Sequence, residues 1–246
     1  MPNGRSDLVV TIDGRECTAH AGESVLDVAR REQIPIPTLC HLDGLSIWAS
    51  CRICVVEIAG TRQLKPACAT PVEDDMEVWT QNERLVRYRR MIVELFLAEG
   101  NHFCAVCVSN GACELQDLAA ALGVDHVRYE YRNPDRAVDA SHPKYVYDPN
   151  RCVMCTRCVR TCDEIEGAHV WDVAQRGNDV MLVTGIGGSW GDSTACTWCG
   201  KCVTACPTGA LLFKGRSVAE MEHDRDLVSF LATARNERRW IDREET

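Results

Sequence analysis

The pattern of apolar and polar residues predicts a small mixed sheet with one helix in the first eighty residues. Strands are predicted over residues 8–12 and 16–19, and Asp13-Gly14 between them favours a tight hairpin turn. Ser24 can cap a helix that follows, with Asp27 at its third position. Two further strands are predicted over residues 55–58 and 76–79. This order of hairpin, helix, loop and sheet indicates a β-grasp arrangement.

Apolar residues at helical spacing predict a longer helix over residues 81–99, with Leu85, Ile92 and Leu95 on one face. The same stretch carries four arginines, at positions 84, 87, 89 and 90. We interpret them as a solvated helix face paired with Glu83 and Glu94, with the docking of an acidic partner as the alternative. A second hairpin is predicted over residues 170–174 and 180–183. One or two helices are expected over residues 217–240, packed against the core or a partner subunit.

The composition is that of a globular chain of two or three small domains, with 46% apolar and 26% charged residues in 246. The formal charge of −9 disfavours nucleic acid as a partner. No apolar segment approaches the ~20 residues that a membrane span requires. The first residues, MPNGRSDLVV, lack the apolar region of a signal peptide. We therefore expect a cytoplasmic protein in a reducing compartment, which argues against a disulfide scaffold.

The sixteen cysteines change this picture, because fifteen of them fall into four groups with the spacing of iron–sulfur ligands. The first group has one close pair flanked by two single cysteines, as a [2Fe-2S] cluster requires. Its members are Cys40, Cys51, Cys54 and Cys68. Zinc bound by the same four thiolates is the alternative, although zinc sites usually use two compact pairs.

The second group contains three cysteines and needs a fourth ligand to hold a [4Fe-4S] cluster. A neutral imidazole can bind iron, and His102 is the nearest candidate. The predicted ligands are His102, Cys104, Cys107 and Cys113. A water-ligated iron, or Cys17 as the fourth ligand, are the alternatives. Otherwise Cys17 is interpreted as a buried small apolar residue.

The last two groups are copies of the run C-x2-C-x2-C-x3-C, which is typical of bacterial ferredoxins with two [4Fe-4S] clusters. In that motif the fourth cysteine of each run binds the other cluster. One cluster is therefore predicted on Cys152, Cys155, Cys158 and Cys206. The other is predicted on Cys196, Cys199, Cys202 and Cys162. With the [2Fe-2S] cluster and the cluster of the second group, the total is one [2Fe-2S] and three [4Fe-4S] clusters.

In this order the modules resemble, over about residues 5–215, the electron-transfer region of NADH dehydrogenase large subunits, NAD-linked formate dehydrogenases and [FeFe]-hydrogenases. The family pattern H-x3-C-x2-C-x5-C would place the second group's histidine at Gly100 rather than at His102. The α+β fold expected by resemblance has three domains and a tail. These are a [2Fe-2S] β-grasp domain (1–80), a [4Fe-4S] domain with one histidine and three cysteines (81–145), a 2[4Fe-4S] ferredoxin-like domain (146–215) and a helical tail (216–246).

About thirty residues follow Phe213-Lys214, and we expect neither a molybdopterin-type nor a hydrogen-activating domain there. A chain of this size resembles the small diaphorase (gamma or U-type) subunit of NAD(P)-reducing [NiFe]-hydrogenases. The resemblance implies a flavin subunit that binds NAD(P)H and the small and large [NiFe] subunits as partners. Electrons would pass between them through this chain, which has no catalytic residues of its own. Alternatives are an electron-input subunit of a formate dehydrogenase or bifurcating hydrogenase, and an iron–sulfur redox sensor.

Overall fold

The computed structural model describes residues 7–216 and 224–237, which belong to two compact units. The first unit holds residues 7–41, 47–94 and 118–125, and the second holds the other described residues. No helix in these described ranges is long and apolar enough to span a membrane.

The first unit is built on a five-stranded mixed sheet with the strand order β2-β1-β5-β3-β4. The strands are β1 (Asp7–Ile12), β2 (Arg15–His20), β3 (Val55–Ile58), β4 (Lys65–Pro66) and β5 (Met76–Trp79). β1 pairs with β5 in parallel, and every other pair is antiparallel. The predicted hairpin, with its turn at Asp13-Gly14, is therefore present.

Helix α1 (Val25–Arg31) begins where its cap was predicted. The Ser24 hydroxyl accepts a hydrogen bond from the Asp27 amide, and the Asp27 carboxylate accepts one from the Ser24 amide. These reciprocal bonds satisfy amides that have no partner inside the helix. The apolar side chains of α1 pack into the core of the sheet, together with Val10 and Ile12.

Helix α2 spans Glu83–Glu99, close to the predicted range. The prediction that its arginines form a solvated face is wrong for Arg89, of which only 2% is exposed. Its guanidinium donates hydrogen bonds to the carbonyls of Ile53 and Val55, at 3.1 and 2.7 Å. Arg84 pairs with Glu57 rather than with Glu83. Helical periodicity cannot distinguish a solvated arginine from one that buries its stem and finds carbonyl partners.

The second unit has two small antiparallel sheets among short helices. β6 (Tyr145–Tyr147) pairs with β9 (Leu211–Phe213), and β7 (Trp171–Ala174) pairs with β8 (Met181–Thr184) as the second predicted hairpin. The helices are α3 (Glu114–Ala121), whose last turn belongs to the first unit, α4 (Arg157–Arg160), α5 (Lys201–Ala205) and α6 (Asp226–Asn236). Tyr145, Trp171 and Trp190 are buried at the centre of the core.

Helix α6 is the described part of the predicted helical tail. Its Val228 packs against Leu45 and Ala205 of the same unit. Residues 217–223 and 238–246, which complete the predicted tail, lie outside the described residues.

Candidate metal centres

The four cysteines of the first group lie together in the first unit, and each is between 1% and 6% exposed. The Sγ atoms of Cys54 and Cys68 are 3.4 Å apart, and the backbone amide of Cys40 donates to the Sγ of Cys51 at 3.4 Å. Hydrogen bonding between the thiols lowers the pKa of Cys40 to about 5 and raises that of Cys51. It likewise lowers the pKa of Cys54 to about 7 and raises that of Cys68. The group is thus arranged as two thiol pairs.

Arg89 holds the loop that carries two of these cysteines. The two carbonyls that accept its hydrogen bonds belong to Ile53 and Val55, the residues on either side of Cys54. Cys68 lies in a single 3₁₀ turn, Ala67–Ala69, directly after β4. Helix α2 therefore fixes the position of the third cysteine, and the sheet fixes that of the fourth.

The second group lies in the second unit, where Cys104 begins a 3₁₀ turn, Cys104–Val106. The Cys104 Sγ is 3.5 Å from the carbonyl oxygen of His102. Cys113 is buried at the start of α3, and burial raises the pKa of its thiol to about 11. The thiols of Cys206 and Cys107 contribute to this rise, so these three cysteines are neighbours.

The Nε2 of His102 is buried and has no hydrogen-bond partner within the described residues. Burial, and then the charge of Arg151, lower the pKa of His102 to about 4. The imidazole is therefore neutral at pH 7, which is the form that binds metal. A cavity of about 370 Å³ opens beside it, lined by Gly100, Asn101, His102, Phe103, Tyr131 and Asn133.

Gly100 explains how the histidine can be shifted by two positions. A Cβ at residue 100 would lie 2.4 Å from His102 Nε2 and 3.0 Å from the carbonyl oxygen of Asn150. A side chain at 100 and the ring of His102 would therefore compete for the same space. Glycine at the position where the family pattern has histidine leaves that space to the imidazole of His102.

The two ferredoxin-type runs share one backbone conformation around their middle cysteines. Met154 and Thr156 flank Cys155 with φ of 50° and 58°, and Trp198 and Gly200 flank Cys199 with φ of 61° and 75°. Left-handed residues of this kind turn successive backbone N–H groups toward one side, as in the concavities that hold iron–sulfur clusters. For Met, Thr and Trp this conformation is uncommon and costs energy.

The thiols that influence the pKa values of Cys158 and Cys202 show which cysteines of the two runs lie near each other. Burial raises the pKa of Cys158, and so do the thiols of Cys155, Cys152, Cys206 and Cys202. Burial also raises the pKa of Cys202, and its neighbouring thiols are those of Cys199, Cys162 and Cys196. Cys158 thus has the last cysteine of the second run among its neighbours, and Cys202 has the last cysteine of the first run.

Several protein groups are placed to donate hydrogen bonds to these sulfur atoms. The amide of Met154 is 3.4 Å from Cys152 Sγ, and the amide of Val170 is 3.3 Å from Cys162 Sγ. His142 Nε2 is 3.8 Å from Cys196 Sγ. Hydrogen bonds to ligand sulfurs are a principal control of cluster potential.

All sixteen predicted ligands lie within the described residues. In this part of the chain, no three or more His, Cys, Asp or Glu side chains are grouped so that they could hold a single metal ion. The leftover cysteine, Cys17, is 3% exposed in the core of the first unit, as its apolar character predicted.

Arg89 and His142 were missed by the sequence analysis. An arginine among apolar helix positions could have signalled burial, whereas nothing near His142 in the sequence indicates its contact with Cys196.

Three family models match consecutive parts of the chain. Residues 5–83 match a 2Fe-2S iron-sulfur cluster binding domain, and residues 89–128 match the iron-sulfur binding region of NADH-ubiquinone oxidoreductase-G. Residues 143–212 match the ferredoxin-like domain of NADH-quinone oxidoreductase subunit 3. The chain therefore contains one 2Fe-2S domain and 4Fe-4S ferredoxin-like domains, as predicted.

Larger relatives match this chain over only part of their length. The NADP-reducing hydrogenase subunit HndD of Solidesulfovibrio fructosivorans is 39% identical over 84% of this chain, which spans 36% of that protein. The mitochondrial NADH-ubiquinone oxidoreductase 78 kDa subunit of Candida albicans is 34% identical over 85% of this chain, which spans 29% of that protein. The likeness to these two relatives therefore concerns one region of a longer protein.

Two comparisons cover nearly the whole of both chains. A crystal structure of NAD+-reducing [NiFe]-hydrogenase in the H2-reduced state contains a chain with 33% identity and a TM-score of 0.82, matched over 95% of this chain and 99% of that one. The gamma subunit of the NAD-reducing hydrogenase HoxS of Cupriavidus necator is 32% identical over 84% of this chain and 87% of its own length. The chain belongs to the family of iron–sulfur subunits that includes this hydrogenase gamma subunit.

Proposed function

We propose that this chain carries electrons between a flavin subunit that binds NAD(P)H and the small and large subunits of a [NiFe]-hydrogenase. One observation carries the proposal. Sixteen potential ligands lie in four groups on a chain that matches the hydrogenase gamma subunit over 87% of that subunit's length. The proposed complement is one [2Fe-2S] cluster and three [4Fe-4S] clusters. When bound, each cluster accepts and releases one electron.

The [2Fe-2S] cluster is assigned to Cys40, Cys51, Cys54 and Cys68. Their arrangement in the structure supports this assignment, because a two-iron cluster needs two thiolates on each iron and the thiols are already paired. Burial of all four excludes water from the group. Arg89 holds the carbonyls on both sides of Cys54 and so keeps the loop in the shape that presents its sulfur.

The second cluster is assigned to His102, Cys104, Cys107 and Cys113. The residues fit it because the Nε2 of His102 is buried, neutral and unpartnered among the described residues, and such a nitrogen needs a ligand or a donor. The position of the imidazole above Gly100 supports His102, rather than a residue at position 100, as the ligand.

The third and fourth clusters are assigned with exchanged last ligands. Cys152, Cys155, Cys158 and Cys206 would hold one, and Cys196, Cys199, Cys202 and Cys162 would hold the other. The thiol neighbours of Cys158 and Cys202 support this exchange. The left-handed residues around Cys155 and Cys199 supply backbone N–H groups that would face the clusters.

The proposed domains are residues 1–80, 81–145 and 146–215, followed by a helical tail over 216–246. Electrons would enter from the flavin subunit at the [2Fe-2S] domain and leave toward the [NiFe] subunits at the two-cluster domain. No acid, base or nucleophile is required of this chain. Its residues hold the clusters, exclude water and donate hydrogen bonds to sulfur. The oxidoreductase activity would therefore belong to the assembled complex.

The assembled complex provides the test. The tagged chain is purified anaerobically from its own host, and reduction of NAD+ and NADP+ is measured with hydrogen and with formate as the electron donor. The proposal predicts hydrogen-dependent reduction that is lost when Cys40→Ala and Cys51→Ala are combined. Formate-dependent reduction without hydrogen-dependent reduction would overturn it in favour of a formate dehydrogenase subunit.

A further inference from the structure

His142 is a buried histidine outside all four predicted ligand groups. Its side chain is only 1% exposed and lies among three aromatic rings. The ring centroids of Tyr145, Trp190 and Trp198 are 4.6, 4.8 and 5.1 Å from that of the imidazole. These contacts fix the plane of the imidazole and therefore the directions in which its two nitrogens point.

The hydrogen bonds of the ring determine where its proton is. The backbone amide of Lys144 donates to Nδ1 at 3.1 Å. A ring nitrogen that accepts a hydrogen bond carries no proton, so the proton of the neutral imidazole is on Nε2. Nε2 lies 3.8 Å from the Sγ of Cys196, within the range of an N–H···S contact. The imidazole thus points its N–H at the first cysteine of the fourth group.

A packing role alone would not require this arrangement. The aromatic neighbours could equally enclose a phenylalanine, which has a ring of similar size and no polar atom to bury. A histidine at this position costs the burial of two polar nitrogens, and both of them have partners: the Lys144 amide and the Cys196 sulfur.

We propose that His142 donates a hydrogen bond from Nε2 to the Sγ of Cys196 and thereby raises the reduction potential of the cluster that this cysteine binds. The inference rests on the proposed function, since it takes Cys196 as a cluster ligand. A donor at the sulfur stabilises the extra negative charge of the reduced cluster more than the charge of the oxidised cluster. His142 is therefore a positioning residue that acts on the cluster through its ligand.

Three substitutions separate the donor from the packing. In His142→Gln the side-chain amide nitrogen can reach the place of Nε2 and keep the donor. In His142→Asn the amide oxygen can take the place of Nδ1 and still accept from Lys144, but no donor reaches Cys196. In His142→Phe the ring volume is kept and both polar atoms are lost. His126→Asn, at an exposed position, is the matched control.

The full chain is purified anaerobically in each form, its iron is quantified, and the clusters are titrated potentiometrically with EPR detection. The cluster bound by Cys196 is identified as the one whose spectrum changes in Cys196→Ser. We expect the equilibrium constant for the one-electron reduction of this cluster to fall at least tenfold in the Asn and Phe variants. This corresponds to a shift of about 59 mV to lower potential. In the Gln variant the potential should shift much less, and in the His126→Asn control it should not shift.

Unchanged potentials in iron-replete Asn and Phe variants would overturn the role of His142 while leaving the relay intact. An equal shift in Gln, Asn and Phe would also overturn it, because the donor would then not matter. A wild-type chain without the two [4Fe-4S] clusters of the ferredoxin-like domain would instead overturn the proposed function. If the Phe variant loses iron, the comparison of the Asn and Gln variants decides.

Discussion

The buried guanidinium of Arg89 stabilises the loop of the first cysteine group. It is the buried donor for two loop carbonyls, those of Ile53 and Val55. Arg89→Met keeps much of the side-chain length but leaves both carbonyls buried without this donor. Unsatisfied buried groups cost on the order of 1–3 kcal/mol each, so we expect a loss of about 3 kcal/mol in the free energy of unfolding.

Denaturant unfolding of the holo-protein measures this loss, and the visible absorption of the [2Fe-2S] cluster reports its retention. Arg87→Met is the matched control, because Arg87 is exposed on the same helix. The control should change stability by less than about 0.5 kcal/mol. Equal effects of the two substitutions would contradict the structural role of Arg89.

The ligand role of His102 is tested by removing each of the two candidate residues in turn. His102→Ala should remove or alter one [4Fe-4S] signal in the EPR spectrum, because the second group would be left with three cysteines. Cys17→Ala should leave every signal unchanged, because Cys17 is packed in the core of the first unit. The opposite result would assign the fourth ligand to Cys17.

Cysteine spacing is set by the geometry of a cluster, so the sequence predicts candidate ligands directly, and their assignment to clusters stays a prediction. The residues that support the ligands are harder to predict. Arg89 and His142 owe their roles to burial and to contacts with residues that are distant in sequence. No short-range pattern encodes such contacts.

Among the elements, those with clear periodicity or capping were predicted from sequence. The hairpin at Asp13-Gly14, the helix capped by Ser24 and the long helix α2 are all present. The pairing of β6 with β9 was not predicted, because each strand has only three residues and they are far apart in the chain. The left-handed backbone at Met154, Thr156 and Trp198 was also missed, since residue type gives no indication of it there.

Glu114 connects three elements of the second unit. Its carboxylate binds the guanidinium of Arg157 at 2.6 and 2.8 Å and the Nε of Arg225 at 2.7 Å. Arg157 is only 2% exposed, so Glu114→Ala would leave a buried charge without its main partner. We expect a loss of about 3 kcal/mol in stability. Because Glu114 follows Cys113 at the start of α3, iron should also be lost first from the second group.

Chemical denaturation and iron analysis check both expectations. Asp117→Ala, on the exposed side of the first turn of α3, is the control for the loss of an acidic residue near the helix start. A Glu114→Ala variant as stable as Asp117→Ala would show that the ion pairs contribute nothing measurable.

For the whole molecule, the proposed function rests on the number of predicted cluster sites on one chain. The composition alone indicated a globular protein with unusually many cysteines. The spacing of those cysteines predicted electron transfer, and the likeness to the hydrogenase gamma subunit supplies the complex in which this would occur. The identity of the partner subunits could not be read from the residues, because partner recognition depends on surfaces that no spacing rule describes.

The central claim is that this one chain holds four clusters on sixteen ligands. The most direct test is iron quantification together with reduced-minus-oxidised EPR on the anaerobically purified full chain. We predict about fourteen irons per chain, from one [2Fe-2S] and three [4Fe-4S] clusters with separate signals. Zinc in place of iron, or about ten irons with no signal from the second group, would contradict the account.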